Sequence, residues 1–271
     1  MDLVLLLKLL VILLKDLRNK LMGKIVIFTG AGISKESGVD TFRDAKDGLW
    51  NNFKIDEVAT QEGWAKDRGK VLDFYNARRR ELPKVEPNDA HLALSVLEQE
   101  YDVTIVTQNV DDLHERAGST NVLHLHGELT KARSSFGMNN PRLVQTQPVQ
   151  DIGYNDINLH DEAEEGGQLR PHIVWFGEYP FHVDKAYQAF RNADIVLIIG
   201  TSLNIGYTIG FFGEIKKGVP IIYIDPEPNN ILDFDYPEIS VDYVKKSAVE
   251  GVTEIVHNLI TQAIGDNKND K

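Results

Sequence analysis

The chain has 271 residues, 42% hydrophobic and 26% charged, an ordinary globular composition with room for one large domain plus a small inserted module, or for two modest domains. Its net charge of −12 argues against non-specific binding to nucleic acid, which needs basic surface, and is compatible with a cationic protein or lysine-bearing peptide as partner. There are no cysteines, so disulfides, thiolate metal sites and cysteine nucleophiles are excluded together, and the redox compartment leaves no mark.

Residues 1–22, MDLVLLLKLLVILLKDLRNKLM, stand apart from the rest. Asp2 stands where a signal peptide would be basic, Lys8 interrupts the apolar run, and no small-residue cleavage site follows. An apolar run of about 13 residues is too short to span a bilayer. The segment reads as an amphipathic helix folded onto the body, or as an over-extended start with Met22 the true first residue, in preference to a membrane-surface element. The cytoplasm is the expected location.

Lys24–Thr29 (KIVIFT) is a short β-branched run ending in Gly-Ala-Gly, the pattern of a buried strand opening into a turn. Residues 103–107, 194–199 and 219–225 form similar runs. Helical patterns fall between and after them at 69–82, 91–101, 183–192 and 251–263. Alternation of this kind predicts an α/β fold, a Rossmann-like parallel sheet with helices on both faces, and its ligands belong at the carboxyl ends of the strands. Two stretches depart from the pattern. Residues 35–82 begin loop-rich and read as a lid with helical turns, and residues 128–170, with their Gly, Asn-Pro and acidic loop signals, read as a small inserted module within a domain spanning 23–271.

The turn Gly30-Ala31-Gly32, continuing through Ile33-Ser34 to Ser37-Gly38, lets the backbone approach a pyrophosphate without Cβ clashes. It lacks the third glycine of the usual dinucleotide fingerprint, so a structural tight turn is the alternative. Gln108-Asn109-Val110-Asp111 follows a buried strand and brings amide and carboxylate groups to the same sheet edge, where they can hold a carboxamide and ribose hydroxyls. Its alternative is helix capping by Asn109 or Asp111 ahead of residues 113–117. His124 and His126 share one face of an extended stretch. With no cysteine and no HExxH helix a metal site is disfavoured; beside Gly127, His126 has the intrinsic pKa of a general base, against the alternative of a structural histidine.

These segments in this order, with Thr41-Phe42-Arg43 after the first, resemble the sirtuin family, the NAD-dependent protein-lysine deacylases, from about Lys24 onward. The resemblance implies that NAD is held by Gly30, Ala31, Gly32, Ile33, Ser34, Thr41, Phe42, Arg43, Trp50, Gln108, Asn109, Val110 and Asp111. It implies a second phosphate or ribose loop at Gly200-Thr201-Ser202, ribose contacts at Asp225-Pro226-Glu227, and Ala248 behind the adenine. The family usually has asparagine where Asp225 stands, and an aspartate accepts but cannot donate. Among the implied catalytic residues, His126 is the base, while Asn109 and Asp111 position the nicotinamide ribose and a water. The acyl-lysine peptide is expected to add as a strand along Val174, Phe176, Gly177 and Glu178. In the implied reaction the acyl oxygen attacks the ribose and expels nicotinamide, His126 then acts on a ribose hydroxyl, and water yields lysine and O-acyl-ADP-ribose. An NAD glycohydrolase or ADP-ribosyltransferase on the same fold is the enzymatic alternative, and a non-catalytic NAD-sensing module is the other.

Two departures within the family are informative. Ala59 with Tyr75 and Arg78 resembles the bacterial desuccinylase and demalonylase branch: Tyr75 and Arg78 are helical neighbours, a phenol and a guanidinium can bind a carboxylate, and Ala59 leaves room for a longer acyl chain. The alternative is a solvated basic face at Arg78-Arg79-Arg80. Most sirtuins carry a four-cysteine zinc ribbon in the small module, whereas Ser134 and Ser135 stand where its first cysteines would fall. A metal-free module is therefore expected, held by its own apolar residues such as Leu143, Val144, Ile152, Tyr154 and Ile157.

Overall fold

A computed structural model describes residues 22–39 and 53–269. The expected N-terminal segment lies outside the described residues except for Met22, and so do Thr41, Phe42, Arg43 and Trp50. Nine strands occur among the described residues: β1 (Lys24–Thr29), β2 (Asp102–Thr107), β3 (Val122–His124), β4 (Gly127–Ser134), β5 (Val149–Asp151), β6 (Leu169–Ile173), β7 (Ile195–Ile199), β8 (Ile221–Ile224) and β9 (Val241–Val244).

Six of these strands form one sheet in the order β3-β2-β1-β7-β8-β9, every pair parallel. Successive side chains of β1 enter opposite cores: Val26 and Phe28 pack with Val106, Ile198 and Tyr223, while Ile25 and Ile27 pack with Ile105, Leu197 and Ile199. Burial on both faces is why these strands are continuous apolar runs with no polar alternation. Helix Val183–Asn192 contributes Ala186 and Phe190 to the first core; helices Asp89–Leu97 and Ala248–Asn269 cover the second. Asn88 sets the start of Asp89–Leu97 earlier than the apolar periodicity predicts, because its Oδ1 accepts from the N–H groups of Ala90 and His91. The chain runs outward from β1 through β2 to β3, then returns to the other side of β1 at β7 and runs outward again. The reversal lies between β1 and β7, and a sheet of this class binds ligands there.

The small module is a three-stranded antiparallel sheet, β5-β4-β6, with helix Pro141–Thr146 between β4 and β5. It does not close a core of its own. Leu129, Ala132, Ile157 and Ile173 join one cluster with Val71, Leu72, Phe74 and Tyr75 of helix Arg68–Glu81. Of the residues expected to hold the module, Val144 and Ile157 are buried and Ile152 packs against the shared cluster, but Tyr154 faces outward and donates to Asp112 Oδ2 at 2.6 Å. Asn76 clamps the module to the helix, donating to the Ile157 carbonyl at 2.9 Å and accepting from its N–H at 3.0 Å.

Ser134 donates its hydroxyl proton to the Gly166 carbonyl, and the Gln168 amide donates to the carbonyls of Asn158 and Asp161. Beneath them the Glu178 carboxylate, 2% exposed, accepts from Arg170 at 2.7 Å and from Arg133 at 3.3 Å. Arg170 lies over the Trp175 ring at 3.3 Å. Burial opposes ionisation of Glu178, but the hydrogen bonds and charge of Arg170, the Trp175 N–H and Arg133 outweigh it and hold its pKa below the ordinary value. Among the described residues, no group of three or more His, Cys, Asp or Glu is arranged to hold a metal, and no helix is long and apolar enough to cross a membrane.

A carboxylate whose pKa is depressed by folding stabilises the protein above its unfolded-state pKa and loses that contribution as pH falls through the folded-state value. Glu178→Gln is therefore expected to cost about 3–5 kcal/mol at neutral pH and to flatten the loss of stability in acid, read from urea unfolding across pH. A variant as stable as the parent at neutral pH would contradict the role given to the ion triad. Strong chelators are expected to leave the unfolding midpoint unchanged, and elemental analysis to find well under one zinc per chain. Stoichiometric zinc would contradict the metal-free reading.

Candidate active site

The carboxyl ends of β1, β2, β7 and β8 carry, in turn, Gly30, Gln108, Gly200 and Asp225, so the sheet gathers four segments that are far apart in sequence. Gly30 and Gly32 meet Gly200 across the switch point. The Gly32 N–H donates to the Gly200 carbonyl at 2.8 Å and the Gly30 N–H to that of Ile199 at 3.1 Å. A Cβ on Gly32 would lie 2.6 Å from Gly200 Cα, and one on Gly200, itself at φ +58°, would lie 2.4 Å from the Ile33 nitrogen. These glycines are thus required first by the approach of one loop to the other, beyond the phosphate approach or tight turn that the sequence suggests. The turn continues as a 3-10 helix, Ala31–Ser37, with Ile33 and Ser34 buried.

Ser34 links this loop to the polar segment after β2. Its hydroxyl donates to Asp111 Oδ2 at 3.0 Å and accepts from Asn109 Nδ2 at 3.2 Å. Burial raises the Asp111 pKa against the opposing hydrogen bonds of the Leu113 N–H and Ser34. Asp111 also accepts from the Leu113 N–H through Oδ1, so it serves the one-turn helix Leu113–Arg116 as well as Ser34. Gln108 donates to Thr201 Oγ1 at 2.9 Å, tying the segment to the Gly200-Thr201-Ser202 loop. Below it, Thr107 Oγ1 accepts from Thr29 Oγ1 and from the Asn109 N–H. Thr29 is in turn 3.1 Å from Nε2 of the buried His114. Val110 packs against the small module's cluster and accepts from the Leu129 N–H.

His124 and His126 bond through Nδ1 to the successive carbonyls of Asn109 and Gln108, at 2.8 and 2.9 Å. A carbonyl only accepts, so each Nδ1 carries the proton and each Nε2 presents a lone pair while the ring is neutral. The two rings then diverge. His124 Nε2 faces Glu115 at 2.9 Å, and that hydrogen bond and charge outweigh burial to raise its pKa. Among the described residues His126 has no carboxylate partner; burial lowers its pKa, opposed by the hydrogen bond to the Gln108 carbonyl. Its Nε2 is 2.8 Å from the hydroxyl of Tyr207, on the one-turn helix Gly206–Ile209 that follows the Gly200 loop. Gly127, at φ +85°, starts β4 so close to β6 that a Cβ there would lie 1.9 Å from the His172 carbonyl oxygen.

The Val174–Gly177 segment joins His126 to Ala59 and Tyr75. The Val174 N–H donates to the His126 carbonyl, and the Phe176 N–H to that of Ala59, both at 2.9 Å. Phe176 is exposed, whereas Trp175 is buried against Trp64 and donates to the Tyr75 hydroxyl at 3.1 Å. Burial pushes the Tyr75 phenol up to about 12, so it remains a neutral donor. Arg78 is half-buried with its guanidinium 4.0 Å over the Phe74 ring; Arg79 is buried on the Leu129 carbonyl and Asn76, and Arg80 pairs outward with Asp156. Only Arg80 fits the solvated basic face considered for this triplet.

The structure thus brings Gly30, Ala31, Gly32, Ile33, Ser34, Gln108, Asn109, Asp111, His126, Gly200, Thr201 and Ser202 to one edge. Asp225 is buried at the end of β8, Ala248 is buried at the start of the last helix, and Pro226 and Glu227 are exposed. Glu178 has a structural part that its sequence context does not suggest: its carboxylate is held inside the triad with Arg133 and Arg170. Tyr207 went unread because a tyrosine in a Gly-Tyr-Thr turn carries no spacing signal that it reaches across to His126.

Three comparisons bear on this arrangement. The Sir2 family model matches residues 30–206. An NAD-dependent protein deacylase of Bacteroides thetaiotaomicron is 44% identical over 239 residues, covering 88% of this chain and 99% of that protein. One of Helicobacter pylori strain 26695 is 47% identical over 242 residues, covering 89% and 100%. Among solved structures, a Sir2 homologue in complex with NAD superposes with a TM-score of 0.75 at 32% identity, over 92% of this chain and 94% of that one. The same glycine cradle, polar segment and histidine that the sheet assembles lie inside the matched span, and the chain belongs to the Sir2 family.

Proposed function

We propose that this chain is an NAD-dependent protein-lysine deacylase whose acyl pocket is fitted to acid-bearing acyl groups. The observation that carries the reading is His126, with Nδ1 fixed on the Gln108 carbonyl and Nε2 turned toward the loop that leaves Gly200. The deacylase relatives and the NAD-bound homologue support it.

The residues present fit NAD. Gly30, Gly32 and Gly200 let the two loops close backbone to backbone with no side chain between them, and amide, hydroxyl and carboxylate groups stand beside that closure. Gly30-Ala31-Gly32-Ile33-Ser34 and Gly200-Thr201-Ser202 would hold the phosphates and a ribose, Gln108, Asn109, Val110 and Asp111 the nicotinamide end, and Asp225 and Ala248 the adenosine end. Thr41, Phe42, Arg43, Trp50, Pro226 and Glu227 would complete the enclosure. When bound, NAD supplies the ribose carbon that accepts the acyl oxygen as nicotinamide departs.

The protein's own groups do the rest. Ser34 holds Asn109 and Asp111 in one orientation, so the amide and carboxylate present fixed partners to a hydroxyl and a water. His126, neutral near physiological pH because burial lowers its pKa, takes a proton at Nε2 from a ribose hydroxyl. The Val174–Gly177 backbone, anchored at His126 and at Ala59, offers an extended edge to an acyl-lysine peptide. Ala59, Tyr75 and Arg78 form the acyl end, where a neutral phenol and a guanidinium receive a distal carboxylate.

Mass spectrometry of reactions with NAD and acetyl-, succinyl- or malonyl-lysine peptides is expected to show nicotinamide release matched by free lysine and an acyl-ADP-ribose. Nicotinamide and ADP-ribose formed with the peptide still acylated would instead identify an NAD glycohydrolase.

Arg78→Met keeps an unbranched apolar side chain beside Phe74 and removes the guanidinium that lies over its ring. A charge-assisted pair is worth about 1.5–3 kcal/mol, so desuccinylation is expected to fall one to two decades further than deacetylation in kcat/KM. Equal losses on both substrates would assign Arg78 to the fold or to NAD.

A further inference from the structure

The contact between Tyr207 and His126 has no place in the reaction above. Because the Gln108 carbonyl fixes the proton on His126 Nδ1, the Tyr207 hydroxyl at 2.8 Å donates to Nε2, the one lone pair that a base could use. Burial pushes the Tyr207 phenol up, so it keeps its proton at any pH at which the enzyme works. The imidazole and phenol rings meet edge-on with centroids 6.1 Å apart, and the phenol ring also meets Phe211 edge-on at 6.0 Å. The ring is therefore held by packing independently of its hydroxyl.

We propose that Tyr207 is a positioning residue that caps the Nε2 lone pair of His126 in the substrate-free protein and releases it when a ribose hydroxyl takes its place. The proposal rests on the reading of His126 as the base. Tyr207 rides on the segment that continues from Gly200-Thr201-Ser202 through Leu203, itself at φ +53°. The loop that meets the cofactor is thus the loop that carries the cap. Ahead of Tyr207, open space surrounds the Cβ position of Gly206 at the start of the short helix. Seating the cofactor and freeing the base are accordingly events on one stretch of chain.

The groups facing His126 are few. Gln108 approaches from the segment after β2 with its carbonyl, and Tyr207 from the loop after β7 with its hydroxyl. The neighbouring ionisable pair, His124 and Glu115, engage each other at 2.9 Å, and among the described residues no carboxylate or ammonium group acts on His126. A hydrogen bond donated to the neutral ring favours the neutral form, so removing the donor raises the pKa of the imidazole.

Tyr207→Phe keeps the ring and removes the donor. In NMR titration of the substrate-free protein, His126 is expected to titrate below the ordinary histidine value in the parent and about half to one pH unit higher in the variant, the equivalent of one neutral hydrogen bond. The acid limb of kcat/KM, which reports the free enzyme, is expected to move up with it. The acid limb of kcat, which reports the bound enzyme where the cap has gone, should stay in place. An unmoved His126 titration overturns the cap. A loss in kcat of about tenfold or more also overturns it, because Tyr207 would then belong to the proton transfer itself. An NMR shift with no acid limb following His126 in either parent or variant would refute His126 as the base and leave the contact intact, so the two failures separate.

Discussion

The backbone of Gly32 lies directly on that of Gly200, and the geometry of the candidate site depends on that contact. A parallel sheet splits where its chain reverses, and the loops leaving β1 and β7 diverge unless something holds them together. Here the Gly32 N–H donates to the Gly200 carbonyl, at a distance that no side chain on either residue would permit. Everything above follows from this closure. Ser34 sits two residues beyond Gly32 and orients Asn109 and Asp111; Thr201 follows Gly200 and receives Gln108; the same loop runs on to Tyr207 and so to His126. Four strand ends become one polar ledge because two of them touch.

The second constraint is burial without cysteine. A small antiparallel sheet with no cysteine has two physical routes to order, hydrogen bonding and sharing a neighbour's core, and this one uses both. Ser134 and Gln168 bond across the loop carbonyls, while Ile157 and Ala132 enter the core of helix Arg68–Glu81. That dependence couples the module to the proposed acyl pocket, since the same helix carries Tyr75 and Arg78. The Glu178 triad fixes Trp175 from below, and Trp175 donates to Tyr75. A buried ion triad is a poor source of net stability, but removal of one member leaves an uncompensated charge, so it enforces a single arrangement of the groups above it.

The sheet was legible because its strands are buried on both faces. KIVIFT and its three counterparts are mostly apolar and β-branched, and short runs of that kind, two of them ended by glycine, read as parallel strands. β9 (VDYV) was not legible, being short, half-buried and interrupted by Asp242. The glycine turn, Gln108–Asp111 and His126 could be read because each lies at a strand end. The interior roles could not: Glu178, between Gly177 and Tyr179, looks in sequence like a surface carboxylate, and only the fold brings Arg133 and Arg170 to it. Tyr154 misled in the opposite direction, since an aromatic in a turn-rich insert suggests core and the chain instead turns it toward Asp112.

The closure of the two glycine loops has its functional consequence at a single nitrogen, Nε2 of His126. His126→Ala tests the account most directly, with ADP-ribose affinity as the control for an intact ledge. The expected result is peptide deacylation lowered by roughly 10²-fold or more with ADP-ribose binding kept, the signature of a lost general base. Deacylation near the parent rate in a folded variant would contradict it.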